Sequence, residues 1–157
     1  MTENIKAEVN KLGLTDSVSI KTDESGVSIS FLGTAFFDIG SVDLKEASKE
    51  LVKKITPLIV KQEDNFHVTI EGHTDNIPLN KGLVYRNNFE LSSIRACRVL
   101  DSFIERGMNK NKVTAVGYGE ARPEFPNEDE QGKSIPENQA KNRRVVIKLS
   151  KNDPNTL

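Results

Sequence analysis

Apolar residues at helical spacing mark the beginning of the chain. Ile5, Val9 and Leu12 recur at steps of four and three. This spacing predicts a short helix over residues 2–12 that ends at Gly13. Two runs of alternating apolar and polar residues follow, on either side of an Asp-Glu-Ser-Gly turn, and together they are typical of a β-hairpin. The apolar residues of the two runs are Val18, Ile20, Val27, Ile29 and Phe31.

Two longer stretches have the apolar stripe of an amphipathic helix. The first covers residues 43–60 and begins with Asp43 and Glu46 at the spacing of a capping box. The second is predicted to run to Arg106 from Asn88, which is a good N-cap residue. The residues predicted to face the core are Leu44, Ala47, Leu51, Ile55 and Leu58 in the first helix, and Leu91, Ile94, Leu100, Phe103 and Ile104 in the second.

Three further strands complete the pattern. Residues 66–70 alternate and predict a half-buried strand that ends at Gly72, while residues 113–118 and 145–149 predict two more. A helical turn is expected near residues 136–141. The resulting order, β-β-α-β-α-β-β, predicts an α+β fold, an α/β sandwich. In that fold a mixed β-sheet has its two main helices packed on one face.

Composition narrows the class of protein. The 157 residues fit one domain, and 22 basic against 23 acidic residues argue against a strongly basic nucleic-acid binder. One cysteine and two histidines leave no basis for a disulfide framework or a zinc site, so we expect no metal and no cofactor. Cys97 itself is interpreted as a small core residue. No apolar run approaches the roughly 18 residues of a membrane span, and the chain is interpreted as the soluble part of something larger.

The densest group of chemically useful residues is Glu71–Asn76, directly after a predicted strand and before a predicted helix start. Ligands of α/β layers usually bind at such strand ends. Asp75 offers a carboxylate for a cation, and Arg95 offers a planar fork for a carboxylate. Together they suit a zwitterion such as an amino acid. The alternative is that Asp75 and Arg95 simply pair with each other on a solvated surface.

Two other groups of residues allow more specific functional interpretations, but their spacing in the sequence supports these interpretations poorly. His73, Asp75 and Ser92 contain the residue types of a hydrolase triad, but the Gly-x-Ser-x-Gly elbow is missing and a triad is defined by geometry. A lone His73 is more typical of a hydrogen-bonded structural group than of a metal ligand. Arg143 and Arg144 precede the last strand, where they form either a solvated strand start or an anion site.

Four motifs, in this order over residues 37–149, resemble the OmpA-like peptidoglycan-binding domain. They are Glu71-Gly-His-Thr-Asp75-Asn, Asn88-x-x-Leu91-Ser-x-x-Arg95-Ala96, Val116-Gly-Tyr-Gly119-Glu-x-x-Pro123 and Asn142-Arg-Arg-Val145. Within that family, the chain is most similar to MotB-type stator subunits of the bacterial flagellar motor. The features that carry this similarity are Ile29-Ser-Phe, Phe37-Asp-x-Gly-Ser41, Thr74-Asp-Asn-x-Pro78 and Asn88-Phe-Glu-Leu-Ser.

The resemblance implies non-catalytic binding of peptidoglycan through the diaminopimelate of its stem peptide. It assigns the key acid to Asp75 and the key arginine to Arg95. The further site positions that it assigns are Thr74, Asn88, Leu91 (through its backbone), and Phe37 and Asp38 on the opposite wall. For Arg143 and Arg144 it leaves a ligand role and a structural role open. No catalytic residue and no cofactor are implied.

The resemblance also divides the chain. Residues 1–35 are expected to be a linker, helix and first strands that pack on the core, residues 36–150 the OmpA-like domain with a βαβαββ core, and residues 151–157 a frayed tail. It implies a periplasmic location, a homodimer, a membrane helix outside this sequence and an ion-channel partner subunit in the inner membrane, with no nucleic-acid partner. The alternative within the family is a structural tether between the outer membrane and the cell wall.

Overall fold

The computed structural model describes residues 1–62, 64–80 and 84–151. Of the predicted frayed tail, residues 151–157, only Lys151 is described, and its N–H donates to the carbonyl of Ser25. The strands are β1 (Val18–Asp23), β2 (Gly26–Leu32), β3 (His67–His73), β4 (Val113–Gly119) and β5 (Arg144–Ser150). The α-helices are α1 (Thr2–Lys11), α2 (Gly33–Phe36), α3 (Glu46–Val60), α4 (Asn88–Glu105) and α5 (Pro136–Asn142). Short 3₁₀ turns, Thr15–Ser17 and Lys110–Lys112, precede β1 and β4.

The five strands form one mixed sheet in the order β1-β2-β5-β3-β4. Only the β3–β4 pair is parallel, because α4 carries the chain back between these two strands; the other described pairs are antiparallel. The predicted α+β fold with a mixed sheet is therefore confirmed. None of the helices within the described ranges has the length and apolar character that a membrane span requires.

One face of the sheet carries the hydrophobic core. Ile29, Ile147 and Ile70 are paired across three neighbouring strands, and each is fully buried. Side chains of the helices cover these rows. They are Ile5 and Val9 from α1, Leu51, Val52, Ile55 and Ile59 from α3, and Ala96, Val99 and Phe103 from α4. The predicted packing of the two main helices on one face is confirmed, and α1 and α2 (through Ala35 and Phe36) contribute to the same core.

The hairpin near the N-terminus, β1 and β2, supplies two of the five strands of the sheet. The hairpin predicted around the Asp-Glu-Ser-Gly turn is confirmed, and β2 pairs along its whole length with β5. Asp23 Oδ1 accepts the backbone N–H groups of Ser25 and Gly26, which closes the turn. After β2, the N–H of Gly33 donates to the carbonyl of Arg143 at 2.6 Å. The end of β2 and Gly33 therefore pair with the last motif of the chain, opposite Arg143, Arg144 and Val145.

Two neighbouring glycines let α4 lie directly on the sheet. Gly72 on β3 is paired with Gly117 on β4. A Cβ at Gly72 would lie 2.2 Å from the carbonyl oxygen of Ser92, and one at Gly117 would lie 2.1 Å from Ser93 Oγ. Because both contacts are too short for any side chain, the first turns of α4 are fixed against β3 and β4 by backbone packing.

Several helix details differ from the predictions. Helix α3 begins at Glu46, and the predicted capping box at Asp43 is wrong because the backbone N–H of Asp43 donates to Ser41 Oγ, outside the helix. The N-cap of α4 is Asn87, whose side chain accepts the N–H of Glu90, so Asn88 is the first helical residue. Cys97 is exposed, which corrects its assignment to the core.

The inward face of α3 is rotated relative to the predicted stripe. Ala47 is exposed, whereas the buried residues are Ser48, Leu51, Val52, Ile55, Thr56 and Ile59. The two polar residues on this face are satisfied by backbone carbonyls: Ser48 Oγ donates to Ala35 and Thr56 Oγ1 donates to Val52. Ser48 thus fixes the rotation of α3 against α2, an interaction that an apolar pattern does not reveal.

Candidate functional site

Asp75 lies just beyond β3, where the strand ends beside α4. Its residue is 6% exposed, so the carboxylate is largely removed from solvent. Oδ1 accepts the backbone N–H of Ile77 at 2.9 Å, and Oδ2 pairs with Arg143 Nη1 at 2.5 Å. A buried carboxylate is stable only when it is paired and hydrogen-bonded, and both conditions are met here.

Arg95 lies on α4 and is held by the segment between α2 and α3. Its guanidinium donates to the carbonyls of Ser41 (3.0 Å) and Asp38 (3.4 Å) and lies 5.0 Å above the ring of Phe37. Burial lowers the pKa of Arg95, while Tyr85 raises it and Arg143 lowers it. The segment containing Phe37 and Asp38 therefore forms one wall of the site, and it engages Arg95 through its backbone and an aromatic ring.

Arg143 connects these two groups. Its guanidinium pairs with Asp75, and its positive charge lowers the pKa of Arg95, so Arg143 acts on both predicted key residues. The alternative in which Asp75 and Arg95 pair with each other is not the observed arrangement. Arg143 is 38% exposed at its side chain, whereas Asp75 is 8% exposed. Asp75 is thus the more buried partner of this ion pair, and Arg143 is the partner nearer to solvent.

The other predicted site residues shape the loop that carries Asp75. Asn88 is buried and donates through Nδ2 to the carbonyls of Asp75 (3.3 Å) and Ile77 (3.0 Å). Thr74 is buried, and its Oγ1 donates to the carbonyl of Asp75. Leu91 is buried too, and its N–H donates to the carbonyl of Asn87 as part of the helix. The contacts of Asn88 and Thr74 position the backbone around the carboxylate, whereas the contact of Leu91 belongs to the first turn of α4.

A network beyond the predicted residues supports the same loop. Asn76 donates to Glu128 Oε1, and its own Oδ1 accepts from Gln139 Nε2. Asn142, fully buried next to Arg143, accepts the N–H groups of Glu124 and Phe125. Sequence analysis missed this network. The signal for it is the amide-rich composition around α5, where buried amides need several partners at once.

Comparison with known proteins adds independent information about this fold and its motifs. The model of the OmpA family matches residues 36–143. The chain belongs to the OmpA family. The matched range contains all the predicted site residues except Arg144.

Two curated relatives and one solved structure place this OmpA-family chain more closely. It is 33% identical over 150 residues to Motility protein B of Bacillus subtilis, covering 92% of this chain and 54% of that protein. It is 32% identical over 115 residues to the peptidoglycan-binding protein ArfA of Mycobacterium bovis, covering 73% of this chain and 32% of that protein. The crystal structure of the periplasmic domain of Helicobacter pylori MotB superposes with a TM-score of 0.73 at 26% identity, covering 88% of this chain and 84% of that one. The resemblance to MotB-type periplasmic domains is confirmed. The chain spans about half the length of Motility protein B and about a third of the length of ArfA.

The hydrolase triad is not assembled in this OmpA-family domain. His73 Nε2 contacts Glu71 Oε2 at 3.0 Å rather than Asp75. Ser92 Oγ donates to the carbonyl of Phe89 and accepts the N–H of Gly119 at 2.9 Å, so the hydroxyl ties α4 to the end of β4. Arg144 is 6% exposed and donates to the carbonyls of Asn142 and Arg122, contacts that hold the backbone together.

The outward face of β3 is buried, which corrects the prediction of a half-buried strand. Glu71 and His73 are 6% and 5% exposed, because Lys148 reaches Glu71 (2.8 Å) and Tyr118 stacks on His73 (ring centroids 5.3 Å apart). Burial raises the pKa of Glu71, but hydrogen bonds from His73 and Lys148 outweigh it and hold that pKa below its usual value. Burial lowers the pKa of His73, and Arg144 and Lys148 lower it further, against the opposing hydrogen bond to Glu71.

We expect this buried histidine to make stability depend on pH. In the unfolded chain His73 takes up a proton near pH 6.5, whereas in the folded chain it does so only at lower pH. Between these two pKa values the unfolded state therefore binds more protons than the folded state. As a result the free energy of unfolding falls as pH decreases below about 6.5, by at most about 1.4 kcal/mol per pH unit. Urea denaturation from pH 7.5 to 5.0 measures this slope. His73→Gln should flatten it, and an unchanged slope in that variant would contradict the assignment.

Proposed function

We propose that this domain anchors a flagellar motor stator to the cell wall by binding diaminopimelate in the stem peptide of peptidoglycan, without a catalytic step. The observation that carries the proposal is that a buried carboxylate, Asp75, and a guanidinium fixed by backbone carbonyls, Arg95, are both acted on by Arg143. The free end of diaminopimelate carries an ammonium and a carboxylate on one carbon. Asp75 would accept from the ammonium, and Arg95 would donate to the carboxylate.

The donors and acceptors available in the free site support this assignment. Asp75 uses Oδ1 and Oδ2 once each for Ile77 and Arg143, and a carboxylate has about four acceptor positions, so it retains capacity for an ammonium. Arg95 uses Nε and Nη2 for the carbonyls of Ser41 and Asp38, which leaves its other N–H groups for a ligand. Arg143 adds a second positive charge beside Asp75. The site therefore complements a zwitterionic group, with a surplus of positive charge for further carboxylates.

The names of two relatives support both parts of the proposal, the binding of peptidoglycan and the role in a flagellar motor. ArfA is named as a peptidoglycan-binding protein, and Motility protein B matches 92% of this chain, which is more than the range matched by the OmpA family model. That coverage favours a stator over an outer-membrane tether. In the whole protein we infer a periplasmic location for this domain, a membrane helix and an ion-channel partner subunit bound through parts outside this sequence. A homodimer would bind a polymeric wall more tightly than one domain through effective concentration.

Titration with two matched stem peptides tests the ligand assignment. Lysine differs from diaminopimelate by lacking the side-chain carboxylate, so a lysine stem peptide removes only the group assigned to Arg95. We expect the diaminopimelate peptide to bind about 10 to 100 times more tightly, because a charge-assisted hydrogen bond contributes about 1.5–3 kcal/mol. Arg95→Gln should bind both peptides equally weakly. Equal affinity of the unaltered domain for both peptides would contradict the assignment.

A further inference from the structure

The loop that carries Asp75 is attached to the region of α5 at two neighbouring residues. Asp75 pairs with Arg143, which directly follows α5. Asn76 Oδ1 accepts a hydrogen bond at 3.0 Å from Nε2 of Gln139, which lies within α5. The carbonyl of Gln139 also accepts the N–H of Arg143 at 3.1 Å. Gln139 therefore contacts both the backbone of the arginine that pairs with Asp75 and the side chain that follows Asp75 in the loop.

The direction of the hydrogen bond between Gln139 and Asn76 is fixed by a third residue. Asn76 Nδ2 donates to Glu128 Oε1 at 2.9 Å. Because a carboxylate only accepts, the amide nitrogen of Asn76 faces Glu128 and its oxygen faces Gln139. Gln139 must then donate, which its amide nitrogen can do. The three side chains thus form one directed chain of hydrogen bonds that holds the amide of Asn76 in a single orientation.

Gln139 is buried to a degree that is unusual for glutamine, with 3% of the residue exposed. Ordering a long polar side chain away from water costs conformational entropy and hydration. A methionine of similar length would fill the same space without the loss of hydration. What the amide adds at this position is the hydrogen bond to Asn76.

We propose that Gln139 is a positioning residue for the recognition of the ligand ammonium. The inference rests on the proposed function, which assigns the ammonium to Asp75. The carboxylate of Asp75 can accept from a ligand only in the directions that Ile77 and Arg143 leave open. Because Gln139 holds the residue after Asp75 and the backbone of Arg143, it sets these directions.

Recognition of the ligand carboxylate does not depend on the same contact. Arg95 is held by the carbonyls of Ser41 and Asp38, in the segment between α2 and α3. Loss of the Gln139 amide should therefore weaken the contact with the ammonium and preserve the contact with the carboxylate. This selective effect separates positioning from a general loss of structure.

Three stem peptides separate the two charged groups of the ligand. One contains diaminopimelate, one has the side-chain amine of diaminopimelate acetylated, and one contains lysine, which lacks the side-chain carboxylate. Calorimetric titration of the unaltered domain should show a preference for the first peptide over each of the others. In Gln139→Met the preference over the acetylated peptide should fall about tenfold, the effect of one misaligned charge-assisted hydrogen bond, while the preference over the lysine peptide stays the same. Gln131→Met is the matched control, because Gln131 is exposed, and it should keep both preferences.

Asn76→Ala tests the same contact from the side of the loop. It removes the acceptor of the Gln139 hydrogen bond at a half-buried residue, so it should also reduce the preference over the acetylated peptide. The double variant should lose no more of this preference than Asn76→Ala alone, since both substitutions act through one contact. If Gln139→Met does not fold, as checked by circular dichroism, Asn76→Ala decides the question.

The outcomes distinguish this inference from the proposed function. An undiminished preference over the acetylated peptide in folded Gln139→Met, or in Asn76→Ala where that variant decides, overturns the positioning role and leaves the proposed function intact. Loss of both preferences together in a folded variant assigns Gln139 to the structure as a whole, and this result also overturns the positioning role. Equal binding of the free and the acetylated peptide by the unaltered domain, or no binding of either, overturns both proposals.

Discussion

Asp75→Asn is expected to abolish peptidoglycan binding while leaving the domain folded. Asparagine keeps the shape of the side chain and can still accept the N–H of Ile77, but it removes the negative charge that faces Arg143. The proposed ligand ammonium would then meet two arginines and no acid. We expect at least a 100-fold loss of affinity, which corresponds to roughly 3 kcal/mol for a lost charge-assisted interaction.

Sedimentation with purified peptidoglycan measures this effect, and circular dichroism checks that the variant is folded. Asp16→Asn is the control, because Asp16 is an exposed carboxylate in the short turn before β1, and it should pellet with the wall as the unaltered domain does. Since Arg143 is partly exposed, losing its partner should cost only about 1 kcal/mol of stability. Undiminished pelleting of Asp75→Asn would defeat the proposed function.

The second large effect is expected from Gly72→Ala. The added Cβ would lie 2.2 Å from the carbonyl oxygen of Ser92, so α4 must move away from β3. Overpacking of backbone against backbone costs about 3 kcal/mol, and the shift also carries Arg95 away from Asp75. We expect both a lower free energy of unfolding, measured with urea, and weaker binding of the stem peptide.

Gly132→Ala separates the steric effect from simple loss of glycine. Gly132 has a φ of +77°, and no atom lies within 4 Å of the place that a Cβ would occupy, so alanine there meets backbone strain but no clash. That strain costs roughly 1–2 kcal/mol and leaves α4 in place. If Gly72→Ala unfolds no more readily than Gly132→Ala and binds the peptide normally, the close packing of α4 on the sheet does not set the geometry of the site.

The elements of this fold follow from periodicity, but the partners of its charged groups do not. The alternation around Ile29 and Ile70 predicts strands, and the structure has them. The burial of Glu71 and His73 depends on Lys148 and Tyr118, which reach them from neighbouring strands, so no pattern within β3 contains it. Local spacing reveals the local environment and not the contacts made by sequence-distant strands.

The contacts of the candidate site are also only partly predictable from local sequence spacing. Motif resemblance assigns Asp75 and Arg95, and strand-end chemistry indicates a shared site for them. The ion pair between Asp75 and Arg143 joins residues 68 positions apart and arises only because β5 lies beside β3 in the sheet. The rotation of α3 is likewise set by Ser48, whose hydroxyl is satisfied by Ala35. In both cases the deciding contact is polar and long-range.

The pairing of β2 with β5 limits which residues could extend if the domain acts as the proposed anchor. In the sheet, β5 lies between β2 and β3. The N–H of Gly33, directly after β2, donates to the carbonyl of Arg143, and the side chain of Arg143 pairs with Asp75. Extension of residues 26–33 would therefore remove this backbone partner of β5. It would also free Arg143, which pairs with Asp75, at the same time. If the proposed anchor has to extend toward its ligand, the structure therefore favours an extension of the residues that precede the hairpin.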